Sequence, residues 1–372
     1  MDAGLVYERP VGDWAWVQVR ASGLNQSHRH RFGSLLEKDV HQTAFAEASL
    51  AVDALGASWL AGVALQVDDY ASESFPAFDY TYEAPALFAQ VERDLSEELT
   101  LAASARWDEH SEYGGQFSPR LSLLYRPGPW TVRASWGRGF YAPTPFVEET
   151  EAAGLSRLEP LHGLEAETAQ TASLDIGYAA GPWETNLTLF GSDIEDAARL
   201  ETVAADRVKL ANIPGVTRTR GVEALARWRE GPFVVTGSYL YVDASEPEAT
   251  GSGRRNVPLT PRHSAGLVAM WEDHDRGRLG FEAYYTGEQP LEDNPWRSQG
   301  DSYWELGLLG EIVVGRYRLF LNLENLLDVR QTDDHLLVRP VRAPDGRWTT
   351  DAWAPLEGFV ANAGVRISFG AP

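Results

Sequence analysis

A tight turn followed at once by an aromatic residue, and then by alternating apolar and polar residues, recurs along this chain. Few folds accommodate that punctuation. Gly128-Pro129-Trp130, Gly181-Pro182-Trp183 and Gly231-Pro232-Phe233 are the clearest copies. Gly12-Asp13-Trp14, Gly56-Ala57-Ser58-Trp59 and Gly315-Arg316-Tyr317 are looser ones. Long polar stretches occupy the other end of each strand-like segment. Short turns at one end, long loops at the other and aromatics at the short-turn level predict an all-β fold, an antiparallel transmembrane β-barrel.

The segments between turns alternate with period two, which puts successive side chains on opposite faces of a sheet. Leu99, Leu101, Ala103, Ala105 and Trp107 oppose Thr100, Ala102, Ser104 and Arg106. Leu187 and Leu189 oppose Asn186 and Thr188, and Tyr317, Leu319, Leu321 and Leu323 oppose Arg318, Asn322 and Glu324. A soluble sandwich has the same local rhythm. The segments, however, run to about 10–14 residues, nearer a tilted membrane-spanning strand than the usual soluble one. Trp14, Trp59, Trp130, Trp183, Phe233 and Tyr317 share one offset from the turns and are read as a periplasmic aromatic girdle. Short turns are placed near 12, 56, 96, 128, 181, 231, 277 and 315. Long loops fall near 23–41, 69–79, 108–116, 138–168, 195–217, 244–262, 287–302 and 330–356. The expected total is about seventeen strands.

Composition fits this reading. The 372 residues contain no cysteine, which excludes disulfides and thiolate metal sites. The net charge of -22 argues against nucleic acid as a partner. No segment is long and apolar enough for a membrane-spanning helix. Met1-Asp2-Ala3-Gly4 carries neither a basic region nor an apolar run, so no signal peptide is expected at the start given. The last strand pattern sets Phe359, Ala361, Ala363, Val365, Ile367 and Phe369 against Asn362, Gly364, Arg366 and Ser368. An aromatic near the end of a terminal strand, here Phe369, is the kind of signal that barrel-assembly machinery recognises.

Several motifs resemble those of TonB-dependent outer-membrane receptors, in the family's order. Ser135-Trp136-Gly137-Arg138-Gly139-Phe140-Tyr141-Ala142-Pro143-Thr144 resembles a mid-barrel strand-to-loop signature. Asn186-Leu187-Thr188-Leu189-Phe190 leads to Asp193-Ile194-Glu195-Asp196, then Asn212, Gly215 and Thr219-Arg220-Gly221-Val222-Glu223. Val257-Pro258-Leu259-Thr260-Pro261-Arg262-His263, Tyr285-Thr286-Gly287 and Asn322-Leu323-Glu324-Asn325-Leu326-Leu327-Asp328 follow. Residues 1–115 fit by strand rhythm alone. The resemblance implies a 22-strand barrel of which this chain supplies a partial barrel domain over residues 1–372, the C-terminal portion, without the plug domain. It implies a bacterial outer-membrane location, in contact with outer-membrane lipid. It also implies energised uptake of a scarce ligand such as a ferric siderophore or corrinoid, and contact with the TonB-ExbB-ExbD complex through the plug. A plugless diffusion pore, a non-transporting binding barrel and an inactive fragment are the alternatives.

No catalytic constellation is legible, and no enzyme activity or cofactor is expected. The carboxylates Asp175, Glu184, Glu305 and Glu311 read as lumen charges. His28-Arg29-His30 could suggest a metal pair, but its place in a long loop makes solvated histidines the expectation. Asp243, Glu246 and Glu248 read as a solvated acidic loop rather than a calcium site. Ligand contact is expected from loop aromatics at the outer end, namely Tyr141, Phe146, Trp296, Trp348 and Trp353. His162 and His335 are set beside them for a small-molecule or metal-chelate ligand.

Overall fold

The computed structural model describes residues 1–146, 154–204, 206–248, 253–340, 342, 346–367 and 369. Strands β1 (Asp2–Val11), β2 (Ala15–Phe32), β3 (Leu35–Ala54) and β4 (Ala57–Ser72) open the chain. β5 (Tyr80–Asp94), β6 (Leu99–His110), β7 (Gly114–Tyr125) and β8 (Trp130–Tyr141) follow. β9 (Glu167–Ala180) and β10 (Trp183–Glu195) lead into a separate hairpin of β11 (Ala198–Ala204) and β12 (Arg207–Asn212). β13 (Val216–Glu230), β14 (Phe233–Pro247), the short β15 (Arg254–Asn256), β16 (His263–Asp273) and β17 (Gly277–Thr286) continue the main sheet. A two-residue pair, β18 (Gln289–Pro290) with β19 (Gln299–Gly300), precedes β20 (Tyr303–Val314) and β21 (Tyr317–Glu324). After a one-turn helix, α1 (Gln331–Asp334), β22 (Val360–Ile367) ends the sheet.

The main sheet has 18 strands, each long one paired antiparallel with the next long one. Setting aside three-residue β15, seventeen long strands remain. That is the number the sequence predicts. All eight short turns fall where the sequence places them, six of them at the Gly-aromatic punctuation. Their local chemistry is plain. In Gly181-Pro182, Ala180 pairs directly with Trp183, and Gly181 has φ +56. A positive first φ followed by the fixed negative φ of proline has the sign pattern of a type II′ turn, whose twist suits a hairpin.

The outer ends depart from expectation. Residues 23–41 are not a loop. β2 and β3 run on as a paired hairpin to a two-residue turn at Gly33-Ser34, with Phe32 opposite Leu35. The stretch 108–116 shrinks to a turn at 111–113. The Asp243–Glu246 stretch is strand, not solvated loop. Glu246 is buried between Arg199 and Arg255, at 3.1 and 2.6 Å, and Asp243 faces Arg262 at 3.4 Å. These misreadings share a cause. Above the lipid both strand faces are polar, so alternation loses its hydropathy signature.

The two faces of the wall are chemically distinct. Leu187, Leu189, Leu319, Leu321, Val365 and Ile367 are exposed on the outer face, as are Trp107, Leu121 and Ile312. An apolar belt on this scale on a described surface is what lipid contact requires. Leu323 is half-buried, and Phe369, beyond the end of β22, is exposed. Ser368 and Gly370–Pro372 lie outside the described residues. The inner face is polar. Glu311, with its side chain 4 % exposed, is held by Arg278 at 3.4 Å and Arg318 at 3.1 Å, so it is a structural lumen charge. Three inward aromatics lie over glycines directly opposite. Phe88, Phe190 and Phe320 cover Gly62, Gly221 and Gly364, where a Cβ would come within 2.5 Å of the ring.

Apolar burial sits at the outer end rather than in mid-sheet. Tyr70, Phe78, Leu155, Leu158 and Leu210 form a buried cluster. It draws together β4, the 76–78 turn, the loop after β8 and the β11–β12 hairpin. These segments, distant in sequence, fold over the mouth.

Candidate ligand-binding site

The ends of β3, β4, β5 and β6 present a ladder of rings on one face. Cross-strand register puts His41 opposite Tyr70, Tyr70 opposite Tyr80, and Asp68 opposite Tyr82. These residues share the parity of Ala86 and Asp108, the inward face. Ring centroids step from His41 to Tyr70 at 6.1 Å, Tyr70 to Tyr80 at 5.7 Å, and Tyr80 to Tyr82 at 4.3 Å. Tyr82 then meets His110 at 5.2 Å and Tyr113 at 6.2 Å. Phe146 closes the set from above, 4.4 Å from Tyr70 and 6.2 Å from His41.

Polar contacts orient the ladder. Asp68 Oδ1 lies 2.6 Å from His41 Nε2 and accepts a longer bond from the Tyr80 hydroxyl at 3.5 Å. His110 Nδ1 accepts from the backbone N–H groups of Glu112 and Tyr113, at 3.2 and 3.3 Å. In neutral His110 the proton is therefore on Nε2. Tyr113 donates to the Pro143 carbonyl at 2.5 Å, tying the turn after β6 to the loop after β8. Burial, with Tyr82 and Glu112 beside it, pushes the Tyr113 phenol above its ordinary value. It remains a protonated donor. Tyr70 and His110 are buried, so the half-buried rings Tyr80, Tyr82 and Tyr113 are the ones that can offer flat faces to an aromatic ligand.

The loop after β8 is pinned over this face. Glu37, buried on β3, accepts from the backbone of Leu155 and Ser156 at 3.1 Å each. Gly154 precedes them with φ +81, and a Cβ there would come within 2.9 Å of Glu37 Oε1 and Phe32 Cε2. Arg347 joins from the loop before β22, lying 5.5 Å over the Phe32 ring and donating to Ser156 Oγ at 3.2 Å.

A second cluster lies between the loops before β20 and before β22. Arg297 sits 5.3 Å over the Trp353 ring, and His335 lies 5.3 Å from the same ring. Asp301 binds the Arg297 guanidinium and accepts from His335 Nε2 at 2.8 Å. The Arg297 hydrogen bond leads, with His335 adding to it, in holding the Asp301 carboxyl below the usual range. Trp353 is buried, and Gln331 accepts from its backbone N–H at 2.8 Å.

The structure thus separates the sequence-predicted ligand residues. Phe146 joins the ring ladder, and Tyr141, on the inward face of β8, lies within electrostatic reach of Tyr113. His335 and Trp353 meet in the second cluster. Trp296, Trp348 and His162 are exposed, Trp348 beneath Arg342 at 5.8 Å. Tyr70, Tyr80, Tyr82, His41, His110 and Tyr113 were not singled out from sequence. The spacing Asp79-Tyr80-Thr81-Tyr82 is their one local signal, since i and i+2 share a strand face. Of the residues read from sequence as a girdle, Trp14 lies in the turn before β2, and Trp59, Trp130, Trp183, Phe233 and Tyr317 stand at the turn-proximal ends of their strands; all six are exposed. Trp130 also packs on Tyr178 at 4.8 Å.

A wall of long antiparallel strands, apolar outside, polar inside and turned by short hairpins at one end, defines an outer-membrane β-barrel protein. The model of the TonB dependent receptor-like β-barrel matches residues 4–326, and this chain belongs to that family. The family consists of transport receptors. An iron-regulated outer membrane virulence protein of Vibrio cholerae is 27 % identical over 221 residues, covering 54 % of this chain and 33 % of that protein. A vitamin B12 transporter of Vibrio cholerae is 24 % identical over 249 residues, covering 65 % of this chain and 38 % of it. A mutant of the ferric enterobactin receptor from Pseudomonas aeruginosa shares the fold with a TM-score of 0.73 at 16 % identity, covering 99 % of this chain and 61 % of that one. The chain spans about a third of the length of these curated relatives and lies in the bacterial outer membrane.

Proposed function

We propose that this chain is the barrel portion of a receptor, not an enzyme, that binds a scarce metal chelate at the cell surface and imports it with energy from TonB. The ring ladder from His41 to Tyr113, roofed by Phe146, carries the reading. The ring faces of its half-buried members Tyr80, Tyr82 and Tyr113 match a ferric siderophore with aromatic iron-binding groups better than a purely aliphatic solute. The names of the relatives, for iron, ferric enterobactin and vitamin B12, support a ferric siderophore or a corrinoid. The TonB-ExbB-ExbD complex is engaged through a plug, and the assembly machinery through the terminal strand.

The test is uptake of an iron-55-loaded catecholate siderophore and of cobalt-57-labelled cobalamin by cells producing the protein with its barrel wall completed and its plug present, with and without TonB. TonB-dependent uptake of one of them, cut about tenfold by Tyr80→Ala or Phe146→Ala as expected for loss of a stacking ring of about 1.4 kcal/mol, supports the reading. Equal accumulation of both compounds without TonB points to a diffusion pore instead.

A further inference from the structure

The strand extension that replaces the expected loop at 23–41 changes the meaning of its histidines. His28 and His30 lie on β2 two residues apart, so both project from one face. Register puts His28 opposite Asp39 and His30 opposite Glu37. His28 Nδ1 lies 2.7 Å from Asp39 Oδ1, and the two imidazoles are 5.7 Å apart, centroid to centroid. One donor atom from each of His28, His30 and Asp39 falls within 4.8 Å of the others. We propose that these three residues form a binding site for a borderline divalent transition metal such as Zn2+ or Fe2+, on the inward face of the hairpin at the mouth of the barrel.

The donor set fits that chemistry. Imidazole suits zinc, copper, iron and nickel, and a carboxylate beside two imidazoles gives three protein donors with open positions. Calcium and magnesium want oxygen donors and are disfavoured. Metal bonds of about 2.0–2.2 Å set tetrahedral donors roughly 3.4 Å apart, so the 4.8 Å spread must close by side-chain rotation. His30 is exposed and can rotate out of its stack on Phe32 at 6.4 Å, while Asp39, 6 % exposed, is the fixed post. The neighbouring carboxylate Glu37 is spent on the Leu155 and Ser156 backbone and stands outside the donor set. It does place the covering loop beside the site, so a metal bound here would be partly screened from bulk water.

The site is separate from the ring ladder. His41, two residues from Asp39, is engaged with Asp68 instead. Open coordination positions at the mouth suit a cation that arrives and leaves, rather than a closed structural ion.

The experiment uses the barrel completed by further strands at the free edges of β1 and β22, purified in detergent from outer membranes and stripped with chelator. Zn2+ is titrated by calorimetry, and Co2+ by its visible d–d absorption. One saturable site is expected, with tetrahedral or five-coordinate cobalt bands. His30→Ala, at an exposed position, should weaken Zn2+ by at least tenfold while the heat-modifiable gel shift stays normal. Asp39→Asn should do the same, and Arg29→Ala, on the opposite face, should have no effect. Absence of saturable binding in the wild type, or unchanged affinity in His30→Ala, overturns the proposal. Siderophore or cobalamin uptake is unaffected in His30→Ala, so failure here is distinguishable from failure of the transport reading.

Discussion

Asp301 shows how a single ionisable side chain couples two mouth loops. It faces Arg297 and His335, and the Arg297 hydrogen bond holds its carboxyl below the usual aspartate range. A carboxyl depressed in the folded state contributes stability that is present above the ordinary aspartate value. That contribution is lost as pH falls through the lower folded value. The link between these loops should therefore hold at neutral pH and weaken as pH falls below the ordinary aspartate range. Carbon-13 NMR of aspartate-labelled protein should show Asp301 titrating below an ordinary aspartate, and Arg297→Gln should return it toward the ordinary value. An unshifted Asp301 would remove Arg297 from this role. His335 and Trp353 were legible in the sequence as outer-loop candidates, yet Arg297 and Asp301, which hold them, were not. The contact closes across 38 residues between Arg297 and His335, beyond any local pattern.

At the scale of elements, the stretch Asn325–Asp328 explains why the last strand returns to its place. Asn325 has φ +48 and is buried. Its amide donates to the carbonyls of Val329 and Glu357, at 2.9 and 3.1 Å, and its oxygen accepts from Val329 N–H at 3.0 Å. Asp328 accepts from Phe359 N–H at 2.8 Å, immediately before β22 begins. That backbone bond, followed by Arg330, holds the Asp328 carboxyl low. Asn325→Ala strips three hydrogen bonds at once and should destabilise the β21–β22 pairing by about 2–4 kcal/mol, read as a lower urea midpoint for the heat-modifiable form. A midpoint within error of wild type would show the knot to be dispensable. Phe369→Ala acts on the same element by another route. It should lower the yield of assembled barrel while leaving ligand binding per assembled molecule intact. Normal yield with lost binding would contradict an assembly role. Most short turns and the outward leucines were legible because Gly, Pro and lipid-facing alternation are local signals, and the turn at 95–98 because a polar break interrupts that alternation. The β2–β3 extension was not, since Asn25, Gln26, His28, Arg29, His30 and Arg31 leave neither face apolar.

The whole sheet poses a question of closure. Among the described residues β1 pairs only with β2 and β22 only with β21, so each presents one free edge. Seventeen long strands, each antiparallel to the last, run β1 and β22 in the same direction. Their direct union would be parallel, whereas single-chain bacterial barrels of this class close antiparallel with even counts. Every residue of β1 is exposed, and its outer edge offers a row of unsatisfied N–H and C=O groups. In hydrocarbon each such group costs several kcal/mol, so an open edge cannot persist against lipid. We propose that further strands pair with β1 and β22 to complete the wall, and that residues 1–372 are a partial barrel domain. Residues 1–372 produced alone behind a signal peptide should then yield little heat-modifiable protein. Adding strands that complete an even count should restore the gel shift and ligand uptake together. If residues 1–372 by themselves gave a stable monomer conducting ions across planar bilayers, the edges would have to be joined in parallel. The molecule would then be read as a diffusion pore.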